Sequence, residues 1–97
     1  MDRNLIISGG IFHDFAGTSR ALASLLAPLG VESFISDDPE AALAELATGG
    51  WRMVTVNALR WPMAGEKYDP WRDDWAFSLS AAGREAFLAF VEQGGGL

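Results

Sequence analysis

Leu5-Ile6-Ile7-Ser8 is a short apolar run that Gly9-Gly10 closes. An apolar run of this length indicates a strand buried on both faces, and the two glycines predict a tight turn after it. Strands of this kind belong to parallel sheets that helices cover. We therefore take residues 5–8 as the first strand of an α/β protein.

A helix is predicted after this strand, with Thr18 as its N-cap. Its leucines recur at positions i, i+3, i+4 and i+7, which is the spacing of one apolar helix stripe; they are Leu22, Leu25, Leu26 and Leu29. Pro28 and Gly30 are expected to end this helix.

The rest of the chain repeats the same alternation. Residues 31–36 alternate in polarity and predict a second strand at a sheet edge. Asp38-Pro39 predicts a helix start, because the carboxylate accepts a free N–H while proline occupies the first helical position. We expect this helix to reach about Ala47, with Leu43 and Leu46 facing inward. Residues 53–59 predict a third strand, residues 60–79 lack a regular pattern, and Ser80 predicts the cap of a last helix.

The last helix is expected to end in the glycines of Gly94-Gly95-Gly96-Leu97. Its predicted apolar face holds Phe87, Leu88, Phe90 and Val91. A glycine run followed by Leu is typical of the connection to a buried strand. We expect one domain over residues 1–97, incomplete at its C-terminus.

Strands and helices in strict alternation predict a parallel sheet with right-handed crossovers. We expect a flavodoxin-like three-layer α/β sandwich with strand order 2-1-3. Ligands in such folds bind beyond the carboxyl ends of the strands where the order reverses, here between strands one and three. The third strand would also have an open edge, which predicts association with another copy unless the chain continues.

Composition excludes several classes of function. The net charge is −6 and the seven Lys and Arg residues are scattered, which argues against nucleic acid as a partner. There is no cysteine, and therefore no thiolate metal site or disulfide framework. The first apolar stretch is too short for a signal peptide or a membrane span, so we expect a cytoplasmic protein without a membrane partner.

Five segments of the chain form a recognisable set: Ile7-Ser8-Gly9-Gly10, His13-Asp14, Asp37-Asp38-Pro39, Val56-Asn57 and the terminal LAFVEQGGGL of residues 88–97. Together they resemble the trehalose-utilisation, or ThuA-like, family. The resemblance covers the whole chain. It implies a fold similar to class I glutamine amidotransferases and a role in bacterial carbohydrate metabolism in the cytosol, in a domain usually more than twice this length. The catalytic Cys and later His of the amidotransferases have no counterpart here, so glutaminase activity by that route is excluded.

The candidate ligand-binding residues lie in the two loops at the predicted switch point. They are Gly10, His13, Asp14, Asn57, Arg60 and Trp61. The imidazole of His13 would act as a base, a sugar hydrogen-bond partner or a metal ligand beside Asp14, or would simply bond a backbone carbonyl. Asn57 can bond sugar hydroxyls, Arg60 can pair with an anion and Trp61 can stack on a sugar ring. We assign no catalytic residue, metal site or cofactor, and we favour turn geometry over ligand contact for the glycines.

Aromatic side chains are concentrated in the long loop of residues 60–79. They are Trp61, Tyr68, Trp71, Trp75 and Phe77. Such a set would suit a carbohydrate-binding lid, but it would also fasten the loop to the body of the protein or to a second subunit, which we favour.

Two functions remain open on the sequence. The chain would bind or process a sugar or sugar derivative at the carboxyl ends of its strands. The alternative is a non-catalytic binding or assembly module that completes its sheet as a homo-oligomer.

Overall fold

The computed structural model describes all 97 residues, Met1–Leu97. Its centre is a three-stranded parallel sheet of β1 (Asp2–Gly10), β2 (Val31–Ser36) and β3 (Met53–Leu59) in the order β2-β1-β3. The register places Leu5 of β1 between Phe34 and Val54. The predicted α/β class and strand order are confirmed, although β1 extends through both glycines instead of turning at them.

Four α-helices connect or follow the strands. They are α1 (Phe15–Leu26), α2 (Pro39–Leu46), α3 (Asp69–Trp75) and α4 (Ala81–Glu92), with short 3₁₀ turns at Ala27–Leu29 and Glu66–Tyr68. Helix α1 packs on one face of the sheet, while α2 and α4 pack together on the other. None of the helices combines the length and the apolar character needed to cross a bilayer.

The main apolar core lies between the sheet and the α2–α4 layer. Leu43 and Leu46 of α2 are buried in it, as predicted. The other buried members are Leu5, Ile7, Ala42 and Val54, against which Trp51, Leu79, Ala86, Phe87 and Phe90 pack. The opposite face of the sheet, towards α1, is more polar. There Asn4 is fully buried, donates to Ser33 and accepts from Thr55 at 3.0 Å.

Helix α1 differs from its prediction at its start and in the phase of its apolar face, while Pro28 and Gly30 end the helical segment as predicted. It begins at Phe15, and its cap is Asp14 rather than Thr18, because the Asp14 carboxylate accepts the N–H of Gly17 at 3.0 Å. The predicted leucine stripe is wrong in phase. Leu25 and Leu29 are 71% and 75% exposed. The less exposed face keeps Leu22 and Leu26 of the predicted stripe and adds Ser19 and Ala23.

The long loop is more regular than predicted, because residues 69–75 form α3. Helix α3 starts with Asp69-Pro70, and the start of α2 has the same dipeptide; in α3, however, the Asp lies inside the helix and no side chain caps it. The Ser80 cap of α4 is confirmed by its bond from the Gly83 N–H. Leu88 is 61% exposed despite its predicted inward position, because α4 packs against α2 through its Phe87 side.

After α4 the chain returns to the sheet beside β3. The N–H of Gly96 donates to the carbonyl of Arg52, and the N–H of Val54 donates to the carbonyl of Gly96, which forms a parallel bridge. Beyond this bridge the outer edge of β3 has no strand beside it. The predicted open edge is therefore present over residues 55–59.

Candidate functional site

The loops after β1 and β3 meet at the reversal point of the sheet. Strands β1 and β3 are neighbours, yet α1, which follows β1, lies on the face opposite to α2 and α4. A crevice beyond the strand ends is the usual consequence of this topology. The candidate site is the set of side chains that these two loops bring to this edge.

The two glycines at the end of β1 allow the loops to approach each other. Gly9 and Gly10 have φ angles of 120° and 121°, which side chains rarely adopt. A Cβ on Gly10 would overlap the carbonyl oxygen of Leu59, and one on Gly9 would overlap the guanidinium of Arg60. Close contact with the end of β3 therefore explains both glycines.

His13 and Asp14 follow in the same loop but do not form a pair. Asp14 uses Oδ1 to cap α1, and its backbone carbonyl accepts from the hydroxyl of Thr18 at 3.1 Å. His13 is exposed and lies edge-on to the ring of Phe15, with 5.7 Å between ring centroids. No three His, Asp or Glu side chains come together as metal ligands anywhere in the chain.

Asn57 is turned towards α1 and is bonded within the protein. Its Nδ2 donates to the hydroxyls of Thr18 at 2.8 Å and Ser19 at 2.9 Å. Ser19 in turn donates to Ser8 at 2.7 Å, and Ser8 donates to the carbonyl of Phe15. Ser8 and Ser19 are buried and were missed by the sequence analysis. The network ties β3 and β1 to the first turns of α1.

Arg60 extends from the end of β3 across Gly9. Its Nη2 donates to the backbone carbonyl of Asp37 at 2.9 Å and, at 3.5 Å, to that of Ser8. Its guanidinium lies 6.0 Å from the centroid of the Phe77 ring. Nε is shielded from solvent and has no acceptor. Arg60 thus joins the ends of β1, β2 and β3 while part of its donor capacity is unused.

Trp61 belongs to an aromatic group that we call the four-ring cluster: Phe12, Trp61, Tyr68 and Trp71. Trp61 packs edge-to-face on Tyr68 at 5.4 Å, and Phe12 packs in the same way on Trp71 at 5.4 Å. Phe12 and Trp61 are 6.5 Å apart. The cluster connects the loop after β1 to the loop after β3, and sequence analysis missed Phe12 as a member.

Two members of the cluster are well exposed. Phe12 is 57% exposed and Trp71 is 37% exposed. Phe12 also has a φ of 80°, which is a strained backbone conformation for a residue with a side chain. The ring of Phe12 is therefore held in solvent by a backbone conformation that is unfavourable for phenylalanine.

Arg72 fixes the segment between Trp61 and Trp71. Its Nε donates to the carbonyl of Met63 at 2.9 Å, its Nη2 donates to the carbonyl of Gly65, and its Nη1 pairs with Asp69 at 2.6 Å. Met63 is fully buried. These bonds hold residues 63–72 as an ordered platform.

Comparison with known proteins finds no matching family model, no similar curated protein and no similar solved structure. Function is therefore inferred from the chemistry of the site. The exposed rings of the site are Phe12 and Trp71, and the exposed residues His13 and Asp14 follow Phe12 in the chain, whereas the amide nitrogen of Asn57 is occupied by internal hydrogen bonds.

Proposed function

We propose that the protein binds a sugar or sugar derivative on the four-ring cluster, at the carboxyl ends of β1 and β3. The observation that carries the proposal is the exposure of Phe12 and Trp71, two packed rings that remain accessible above the strand ends. Flat aromatic faces provide apolar contact area at little entropic cost and suit the C–H faces of a sugar ring.

The backbone of Phe12 supports a binding role over simple loop packing. A left-handed conformation costs a residue with a side chain about 1–2 kcal/mol. The ring gains little burial in return, since more than half of it is exposed. Strain of this kind is concentrated at ligand sites, where it places a side chain in position before the ligand arrives.

The polar residues that follow Phe12 in the chain would supply partners for hydroxyl groups. His13 is exposed next to Phe12, and Asp14 uses only one carboxylate oxygen as a cap. An imidazole and a carboxylate can donate to and accept from a polyol. The ThuA-like resemblance favours a sugar over other polyols and a cytosolic setting. The proposal is one of binding, since His13 makes no side-chain hydrogen bond that would activate a nucleophile.

Tryptophan fluorescence and calorimetry with trehalose, glucose and keto-sugars test this proposal. Trp71→Ala is expected to weaken binding by about tenfold or more, the loss typical of a tryptophan that the bound ligand covers. Trp75→Ala is the matched control, because Trp75 lies on the same helix at 38% exposure and outside the cluster. Equal effects of the two substitutions, or no binding of any sugar to the wild-type protein, would contradict the proposal.

A second candidate function is assembly of a larger sheet through the outer edge of β3. The parallel bridge between Gly96 and Met53 occupies only the start of this edge. Val56 and Leu59, beside the open part, are 51% and 38% exposed. Open strand edges with apolar flanks readily accept another strand, which favours a homo-oligomer.

A further inference from the structure

A cavity that is open to solvent lies on the α2–α4 face of the sheet, separate from the four-ring cluster. Its volume is about 180 Å³, and none of its lining residues belongs to that cluster. Its walls are apolar side chains of the sheet, of α2, of α4 and of the segment before α4; they include Ile7, Leu43, Val56, Phe77, Leu79 and Phe87. Arg60 is the only charged residue that lines it.

Arg60 has no carboxylate partner within the protein. Its hydrogen bonds go to backbone carbonyls through Nη2 alone, and Nε is buried without an acceptor. Asp38 caps α2 and Glu40 accepts from Ser80, while Asp37 meets Arg60 through its backbone carbonyl and its carboxylate forms no ion pair with the guanidinium. A guanidinium with unused donors at an apolar cavity is complementary to an anion with a hydrocarbon body.

We propose that this cavity binds a small apolar carboxylic acid, with its carboxylate on Arg60 and its hydrocarbon tail between β3 and α4. A cavity of about 150 Å³ lined by aliphatic and aromatic side chains accommodates benzene, so about 180 Å³ suits a tail of roughly five or six carbons. One negative charge matches one unpaired guanidinium. A polyanion such as a phosphate ester would meet the acidic residues Asp37, Asp38 and Glu40 without further cations.

Titration of the methyl-labelled protein with hexanoate, followed by NMR, tests this inference. We expect saturable shifts of the methyl groups of Leu43 and Val56. Hexan-1-ol has the same tail without the charge, and it should bind at least about tenfold more weakly, which is the loss expected for a missing charge-assisted pair. This comparison uses only wild-type protein and does not depend on the folding of a variant.

Two substitutions then locate the ligand, and a third serves as their control. Arg60→Gln should reduce the affinity for hexanoate to that for hexan-1-ol, whereas Arg84→Gln, on an exposed position of α4, should leave it unchanged. Val56→Phe should fill the cavity and weaken both ligands. Equal affinities for hexanoate and hexan-1-ol, shifts confined to other methyl groups, or no shifts at millimolar hexanoate would each overturn the proposal.

Discussion

The carboxylate of Glu40 accepts two hydrogen bonds from Ser80, one from the backbone N–H at 2.8 Å and one from the hydroxyl at 2.6 Å. Glu40 lies in the first turn of α2, and Ser80 is the cap of α4, where its hydroxyl also accepts the N–H of Gly83. The two helix starts are therefore joined through one carboxylate. The bonds from Ser80 hold the pKa of Glu40 below its usual value of 4.5.

This pair predicts a specific acid sensitivity. Because the folded-state pKa of Glu40 lies below 4.5, its contribution to stability is complete above about pH 4.5 and is lost as the pH falls through the lower folded-state value. We expect the free energy of unfolding of the wild-type protein to fall over this acidic range, and Glu40→Gln to remove part of that fall. Urea unfolding of both proteins at a series of pH values measures the fall in the free energy of unfolding.

Glu45→Gln is the control for that experiment. Glu45 lies on the same helix, is exposed, and its carboxylate makes no hydrogen bond or ion pair. Its substitution should leave the acid dependence unchanged. If Glu40→Gln and wild-type protein lose stability in parallel between pH 5 and the acid limit of folding, the Glu40–Ser80 bonds do not stabilise the folded state.

Asn57 is predicted to support the structure rather than to bind ligand. Asn57→Ala removes two donated hydrogen bonds, one of them to the buried Ser19, and should lower the free energy of unfolding by about 1–3 kcal/mol. Sugar affinity should remain within about twofold of wild type, because the Asn57 amide nitrogen donates its hydrogen bonds within the protein. Removal of a ligand contact would instead weaken binding by about tenfold. Gln93→Ala, at an exposed amide, is the control for stability. A loss of affinity without a loss of stability would assign Asn57 to the ligand.

Local sequence signals predicted the parts of the fold that depend on neighbouring residues. The Asp38-Pro39 and Ser80 caps and the bounds of β2 and β3 are confirmed, because capping and strand alternation act over a few residues. An Asp-Pro dipeptide also stands at the start of α3, at Asp69-Pro70, although there the carboxylate pairs with Arg72 and does not cap the helix. The signal was present but was outweighed by the irregular residues around it.

The site itself depended on contacts that sequence spacing does not encode. Asn57 and Ser19 are 38 residues apart, and their hydrogen bond requires the phase of α1, which its leucine spacing predicted wrongly. Phe12 joins the four-ring cluster only through a backbone conformation that its residue type disfavours. Tertiary packing selects both arrangements.

Arg72 is predicted to hold residues 63–72 in place. Arg72→Ala should leave the carbonyls of Met63 and Gly65 without their donors and accelerate proteolysis after Lys67. Arg72→Lys should restore little of the protection, because a single ammonium cannot reproduce the three bonds of the guanidinium fork. The control variant Arg84→Ala, on α4, should be cleaved at the wild-type rate. Unchanged cleavage of Arg72→Ala would mean that the loop is held by its aromatic contacts alone.

The open edge of β3 makes a prediction about association. Val56 is 51% exposed beside the unpaired part of the strand, and a lysine there would place a charge where a neighbouring strand must pack. We expect the wild-type protein to associate with rising concentration in sedimentation velocity, and Val56→Lys to shift the protein to monomer. Val91→Lys is the control, because it adds the same charge on α4, at a position that is 42% exposed and away from the edge of β3. This variant should associate as the wild type does. A wild-type chain that stays monomeric at all concentrations, or equal effects of the two lysines, would remove the edge of β3 as the assembly surface.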